Sequence, residues 1–198
     1  MGKIAIWAAF YPIIAHIGVQ TSKIYLPIIY LVIIGLFLIY SSKIKSWTAK
    51  GFLTTVIIAT ALIITIIGKE HLVIQSIPVL ILLALILIFS KSLVFKGIPI
   101  ITVFASCVDE KPLNNKKKKY TRNVTIVWLI GFIYMFVQNI FTTIWLSIES
   151  WSWISSVGSY TVIALIMLGE FSYRNREFKH DKISFKTFIM RLSRCKFK

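Results

Sequence analysis

The sequence has few acidic residues and none of the short motifs that usually carry catalytic chemistry. Its 198 residues include seven Asp and Glu and three His. It has no GxxxxGK(S/T) phosphate loop, HExxH pair, GxSxG turn or glycine-rich dinucleotide loop. His16, His71 and His180 lie in separate segments, without metal-ligand spacing. The sequence therefore favours a non-enzymatic protein with no catalytic residue, no metal and no cofactor.

Composition places the chain among membrane proteins. Hydrophobic residues make up 57% of it and charged residues only 15%, whereas soluble domains carry about 25% charged residues. The net charge of +16 is bunched between long apolar runs rather than spread along the chain. This distribution argues against a nucleic-acid partner and indicates membrane lipids instead.

Apolar runs of transmembrane type recur along the chain. The β-branched residues within them would favour strands in water, but an isolated strand in lipid leaves its backbone groups unpaired. We therefore predict an all-α integral membrane protein with about six transmembrane helices. The six runs are residues 4–20, 24–40, 52–67, 72–90, 125–145 and 154–169.

The first run also resembles a signal peptide, because it follows a single basic residue, Lys3. No small-x-small cleavage site closes the run cleanly, and another apolar run begins after Lys23. We therefore expect the first run to be retained as a transmembrane helix.

The runs and the segments between them divide the chain into four parts. We predict four transmembrane helices in residues 1–90, a basic cytoplasmic loop in 91–124, two transmembrane helices in 125–169 and a basic cytoplasmic tail in 170–198. Within the loop, residues 97–108 are apolar but too short to cross, so an interfacial or re-entrant helix should begin near Pro99.

The remaining part of the loop and the tail are predicted to lie in water or at the membrane surface. The lysine-rich end of the loop is expected to be polar and mobile. In the tail, Phe185, Phe188, Ile189 and Leu192 fall at helical spacing on one face, which indicates an amphipathic helix lying on the membrane.

The basic residues set the predicted orientation. Except for Lys23 and Lys69, all 23 Lys and Arg fall in the N-terminus, the 43–51 loop, the long loop or the tail. With six spans these segments share one side, and positively charged loops stay cytoplasmic. We expect a multi-pass protein of the bacterial inner membrane with both termini inside. Cys107 and Cys195 would then face the reducing cytoplasm, so no disulfide is expected.

A basic run leads directly into the fifth apolar run. Juxtamembrane basic residues contribute about 1 kcal/mol each near an anionic leaflet, although retention of positive charge inside explains the lysines equally well. Glu170 and Arg174 are four residues apart in the order that favours a structural ion pair. The candidate residues for binding a partner or an anionic head group are Lys116, Lys117, Lys118, Lys119, Tyr120, Arg122, Glu170 and Arg174.

Four polar side chains interrupt the apolar runs. His16 and Gln20 are four residues apart and share a helix face, and Gln138 and Asn139 lie deep in the fifth run. Such groups can line a route or a head-group pocket. They can equally hydrogen-bond between helices, and this second interpretation is the one we favour.

Several short motifs together form a family pattern. They are Tyr11-Pro12, Pro99-Ile100-Ile101-Thr102, Pro112-Leu113, Tyr120-Thr121-Arg122, Val124-Thr125, Trp128, Gly169-Glu170-Phe171, Arg174, Arg176 and Phe178. The pattern resembles a bacterial inner-membrane family whose genes usually accompany those of aryl-polyene pigment and related fatty-acid-like synthesis. One departure is Val103-Phe104, where that family carries a basic residue. A weaker resemblance, in span count, basic loop and the Trp that follows it, is to the intracellular septation protein A family.

These resemblances imply an accessory or scaffold protein of envelope lipid or aryl-polyene-type synthesis. Its basic cytoplasmic face would bind anionic lipid head groups, acyl carrier protein or another biosynthetic protein. The alternatives are a small transporter or flippase for a lipid-like substrate, using the intramembrane polar residues, and a septation-protein-A-like envelope or cell-division protein. The sequence predicts no particular oligomeric state.

Overall fold

The chain is all-helical in a computed structural model that describes residues 2–42, 44–94, 97–108, 113–178 and 190. No strand occurs within these ranges, so the all-α prediction is confirmed. The helices are α1 (Gly2–Gln20), α2 (Tyr25–Ser41), α3 (Trp47–Ile67), α4 (Glu70–Val94), α5 (Ile100–Val108), α6 (Asn115–Trp145), α7 (Ile148–Trp153) and α8 (Ser159–Glu177), with a π-helical turn, Ile154–Gly158, between the last two.

Within the residues that the structure describes, four helical stretches are long and apolar enough to cross a membrane: α3, α4, α6 and the continuous stretch Ile148–Glu177. Helix α3 has no buried residue, and Phe52 and Ile66 in it are 69% and 83% exposed. Exposed apolar surface of this extent would be an aggregation liability in water but is ordinary next to lipid. The structure therefore supports the membrane class. Helix α2 is apolar but shorter, at 17 residues.

The basic segment before the fifth predicted span is helical, so the prediction of a mobile loop is wrong for residues 115–124. Helix α6 begins at Asn115, and the Asn114 side chain accepts a hydrogen bond of 2.8 Å from the Lys117 backbone N–H. Asn is a favoured N-cap residue, and Lys and Arg are good helix formers in water. Helix α4 likewise continues to Val94, into the predicted loop.

Two other predictions concern the same region and the tail. Helix α5 follows Pro99 directly, where the sequence predicts a helix; its interfacial or re-entrant placement stays a prediction. The amphipathic helix predicted from Phe185, Phe188, Ile189 and Leu192 lies outside the described residues.

The chain divides into two compact units, Met1–Leu80 with Gln138–Gly158, and Ile81–Val137 with Ser159–Lys198. In the first unit, α1 packs against α2 and α7 around a core of Tyr11, Ala15, Ile74 and Trp151. Gly18 allows the close approach of α2, because a Cβ there would lie 2.7 Å from Pro27 Cδ. Glycine is thus required where the two helices meet.

The hydroxyl of Tyr11 completes a hydrogen bond that a proline leaves open. Pro78 lies inside α4 and has no N–H to donate to the carbonyl four residues earlier, that of Ile74. The Tyr11 hydroxyl donates to this carbonyl at 3.2 Å, and both residues are fully buried. The Tyr11 side chain of α1 therefore supplies the hydrogen bond that α4 lacks at Pro78. Lipid tails have no donor that could supply it.

We expect Tyr11→Phe to lower the free energy of unfolding by about 1–2 kcal/mol, because it leaves a buried carbonyl unpaired. In a Pro78→Ala background the loss should be smaller, since the new backbone N–H can reach Ile74. Thermal unfolding of the unsubstituted protein, the two single variants and the double variant in lipid nanodiscs gives the coupling energy between Tyr11 and Pro78. Equal losses in both backgrounds would show that Pro78 is not the reason for the Tyr11 contact.

The second unit has its own core, formed by Leu82, Phe89, Phe132 and Met135. The rings of Phe89 on α4 and Phe132 on α6 meet edge to face, with centroids 4.9 Å apart. A buried hydrogen bond of 2.7 Å between the Thr102 and Thr121 hydroxyls ties α5 to α6. Because its hydroxyls are paired, this contact fixes the short helix without leaving buried polar atoms unsatisfied.

Candidate functional site

A cavity of about 420 Å³ lies within the second unit, between α4, α5, α6 and α8. Its volume falls in the range of about 300–1,000 Å³ that small-molecule sites occupy. The walls are almost entirely apolar over most of the cavity. Wall residues include Leu85 and Phe89 from α4, Ile101, Phe104 and Ala105 from α5, Val124, Trp128 and Phe132 from α6, and Met167 and Phe171 from α8.

The polar lining residues come from the start of α6 and the end of α8. Lys117 and Tyr120 are contributed by α6, and Glu170 and Arg174 by α8. The Tyr120 hydroxyl contacts both the Glu170 carboxylate, at 3.2 Å, and the Glu170 backbone carbonyl, at 3.3 Å. This end of the cavity, called the polar mouth below, thus combines two cations, one carboxylate and one phenol.

Aromatic rings surround the polar mouth. Tyr120 stacks on Tyr173, with centroids 5.7 Å apart, and meets Phe178 edge to face at 5.4 Å. The Lys116 and Lys117 ammonium groups lie 5.9 and 5.8 Å from the Phe178 ring centroid, within cation–π distance. Lys116 also forms a 2.7 Å ion pair with Glu177. These contacts join the beginning of α6 to the end of α8 at the mouth.

The lysine run does not form a single surface. Successive residues of an α-helix point about 100° apart, so four consecutive side chains diverge. Lys117 lines the cavity, whereas Lys118, Lys119 and Arg122 line a different groove of about 950 Å³ beside α5. Of the eight candidate binding residues, the structure brings Lys116, Lys117, Tyr120, Glu170 and Arg174 together and separates the other three from them.

Glu170 and Arg174, which the sequence pairs with each other, both line the polar mouth. The hydrogen-bond partner of the Glu170 carboxylate that defines the mouth is Tyr120, fifty residues earlier in the chain. Sequence spacing cannot reveal this contact. It links α6 to α8, so the carboxylate contributes to the shape of the cavity as well as to its charge.

Three of the four intramembrane polar residues meet in the first unit, around residues 152–156. His16 Nδ1 lies 2.7 Å from the Ser152 hydroxyl, the Asn139 side-chain oxygen accepts a 2.7 Å bond from Ser155, and the Gln138 amide donates to the Ile154 carbonyl at 3.2 Å. Gln20 is exposed and does not belong to this cluster. These hydrogen bonds connect different helical segments. Hydrogen bonding between helices is the structural role that the sequence favours for these residues.

The apolar wall of the cavity is the part of the site that sequence reasoning missed. A signal was present, because Lys117, Thr121, Val124 and Trp128 follow one another at helical spacing on one face of α6. Met167, Glu170 or Phe171, and Arg174 repeat that spacing on α8, and Phe178 continues it directly after the helix. Each of these two helix faces changes from charged to apolar along its length. They predict an amphipathic site only if α6 and α8 are known to face each other, which the sequence does not reveal.

Comparison with protein-family models, with curated proteins and with solved structures finds no match. In the part of the chain that the structure describes, no three His, Cys, Asp or Glu side chains are grouped so as to hold a metal ion.

Proposed function

We propose that the protein crosses the bacterial inner membrane six times, with both termini in the cytoplasm. Helices α1 and α2, of 19 and 17 residues, would cover about 26–29 Å of a hydrocarbon core of ~30 Å. Together with the four longer stretches they make six. The concentration of Lys and Arg on alternate segments supports the orientation. A reporter fused after Lys198 and active only on the external side of the inner membrane would overturn it.

We further propose that the protein is a non-enzymatic accessory protein that binds an amphiphilic molecule for envelope lipid or aryl-polyene-type synthesis. The observation that carries this proposal is the cavity of the second unit, apolar along its walls and charged at its mouth. A water-soluble metabolite would leave the walls unfilled, and a pure hydrocarbon would leave the mouth unused. An amphiphile fits both parts.

The lining of the cavity favours holding a molecule over transforming it. No Ser, Cys or His is among the lining residues that the structure describes. The hydroxyl of Thr121 is bonded to Thr102 and to the Lys118 carbonyl. Among these residues no Ser, Thr or Cys nucleophile with a neighbouring base is therefore assembled, and the Tyr120 hydroxyl is engaged by the carboxylate and the backbone carbonyl of Glu170. Storage, presentation or transfer of an amphiphile requires no such group.

Photolabelling tests the proposal. The protein is reconstituted in phosphatidylcholine liposomes with a fatty acid that carries a diazirine on its chain, irradiated and digested. We expect labelled peptides from α5 and from the α6 residues around Trp128, and we expect unlabelled fatty acid to compete. Labelling spread evenly over lipid-exposed residues of α3, without competition, would overturn amphiphile binding in the cavity.

A further inference from the structure

The charges at the polar mouth distinguish one class of amphiphile from others. Among the lining residues that the structure describes, Lys117 and Arg174 are cations and Glu170 is the one acid. The Glu170 carboxylate already accepts a hydrogen bond from Tyr120, and the neighbouring Glu177 is ion-paired with Lys116. The described lining thus carries one more cation than acid, and the Glu170 carboxylate also interacts electrostatically with Arg174.

The two cations that line the mouth come from different helices. Lys117 lies in the first turn of α6 and Arg174 in the last turn of α8. An anion bound between them would accept charge-assisted hydrogen bonds from both cations, and the planar guanidinium suits the paired oxygens of a phosphate or carboxylate. A cationic head group would meet two like charges at the same place.

The apolar walls fix the direction of such a ligand. From Lys117 to Trp128, α6 advances eleven residues, or about 16 Å at 1.5 Å per residue, and all its cavity-lining residues beyond Thr121 are apolar. A chain attached to a head group at the mouth can thus extend along the helix toward Trp128 and Phe132. A head group at that end would be buried without a polar partner.

We propose that the cavity binds an acyl or alkyl chain bearing an anionic head group, with the head group between Lys117 and Arg174 and the chain along α6. The inference rests on the proposed function and adds to it the ligand class and the two residues that recognise the head group. The same chemistry occurs in free fatty acids or alkyl phosphates and in anionic phospholipids.

Competition among molecules with one chain and different head groups tests the inference. In the photolabelling assay, hexadecyl phosphate should displace the fatty acid at about tenfold lower concentration than hexadecanol, because the anion gains charge-assisted hydrogen bonds. Hexadecyltrimethylammonium should compete worst. Phosphatidylglycerol is added in a separate arm: competition equal to that of hexadecyl phosphate assigns the site to membrane phospholipid, and weak competition assigns it to single-chain anions.

Matched charge variants test the residues. Lys117→Gln with Arg174→Gln should weaken competition by hexadecyl phosphate about tenfold and leave that by hexadecanol unchanged. Lys91→Gln with Arg176→Gln removes the same charges from exposed positions of α4 and α8 and should change neither. Thermal unfolding of each double variant verifies that it is folded.

The outcomes separate the inference from the proposed function. If hexadecanol competes as well as hexadecyl phosphate, or if both double variants behave alike, anion recognition is overturned while amphiphile binding stands. If the probe labels no cavity residue in the unsubstituted protein, the proposed function itself fails. Selective loss in the Lys117 and Arg174 variant supports both.

Discussion

Ala105→Phe should strongly reduce photolabelling of the cavity by the fatty-acid probe. Ala105 lies on α5 and lines the cavity, so a phenyl ring at this position would occupy space that the proposed ligand needs. Protein interiors are packed too densely for the walls to move aside without cost. We expect the apparent affinity to fall by about tenfold or more, equivalent to at least ~1.4 kcal/mol.

The neighbouring residue supplies the control. Ser106 is exposed and lines the other groove, not the cavity, so Ser106→Phe adds the same ring outside the cavity. Its labelling should match that of the unsubstituted protein. The unfolding temperature of Ala105→Phe should be equal or higher, because filling a cavity commonly stabilises a fold. Undiminished labelling in a folded Ala105→Phe protein would place the ligand elsewhere.

Trp151→Ala should cause the largest loss of stability among single substitutions in the first unit. Trp151 is 1% exposed and packs in the core with Tyr11, Ala15 and Ile74. Removing a buried Trp costs about 3–5 kcal/mol. Within a membrane the loss comes from missing packing contacts, because lipid cannot fill an enclosed space. The unfolding temperature in nanodiscs should fall by roughly 6–20 °C.

Two further variants show which property of Trp151 matters. Its indole N–H is buried and has no hydrogen-bond partner among the described residues, so Trp151→Phe loses packing but no hydrogen bond and should cost less than Trp151→Ala. Trp153, two residues later, is 54% exposed, and Trp153→Ala should cost less than Trp151→Ala. If Trp151→Phe lowers the free energy of unfolding as much as Trp151→Ala does, the indole N–H has a hydrogen-bond acceptor, and packing alone does not explain the stability that Trp151 provides.

The helical architecture was largely predictable because its signal is local. Apolar runs separated by charged turns mark the helices, and Gly68 ends α3 in the left-handed conformation expected of glycine. The beginning of α6 was missed because the run Lys116–Lys119 carries no apolar period. This polar extension of the helix is stabilised by the helix propensity of its residues and by the Asn114 cap. Neither of these affects hydropathy, so a hydropathy pattern cannot distinguish such a helix from a mobile loop.

The site was predictable only in part, because its members come from distant segments. Tyr120, Glu170 and Arg174 were candidates, but their assembly requires α6 and α8 to lie side by side. The walls consist of ordinary residues such as Phe104, Val124 and Met167, which differ from other apolar residues only in facing a space. No rule of spacing along the chain encodes that space.

The unbroken α6 has a consequence for insertions and deletions. One residue inserted between Val124 and Thr125 would rotate the start of the helix by about 100° and place Lys118 where Lys117 now lies. The cation at the cavity would survive, whereas Thr121 would replace Tyr120 and the contact to Glu170 would be lost. A repetitive lysine run therefore makes the charge tolerant of changes in length, and leaves the Tyr120 phenol and the Thr121 hydroxyl, which is bonded to Thr102, as the groups that fix the register.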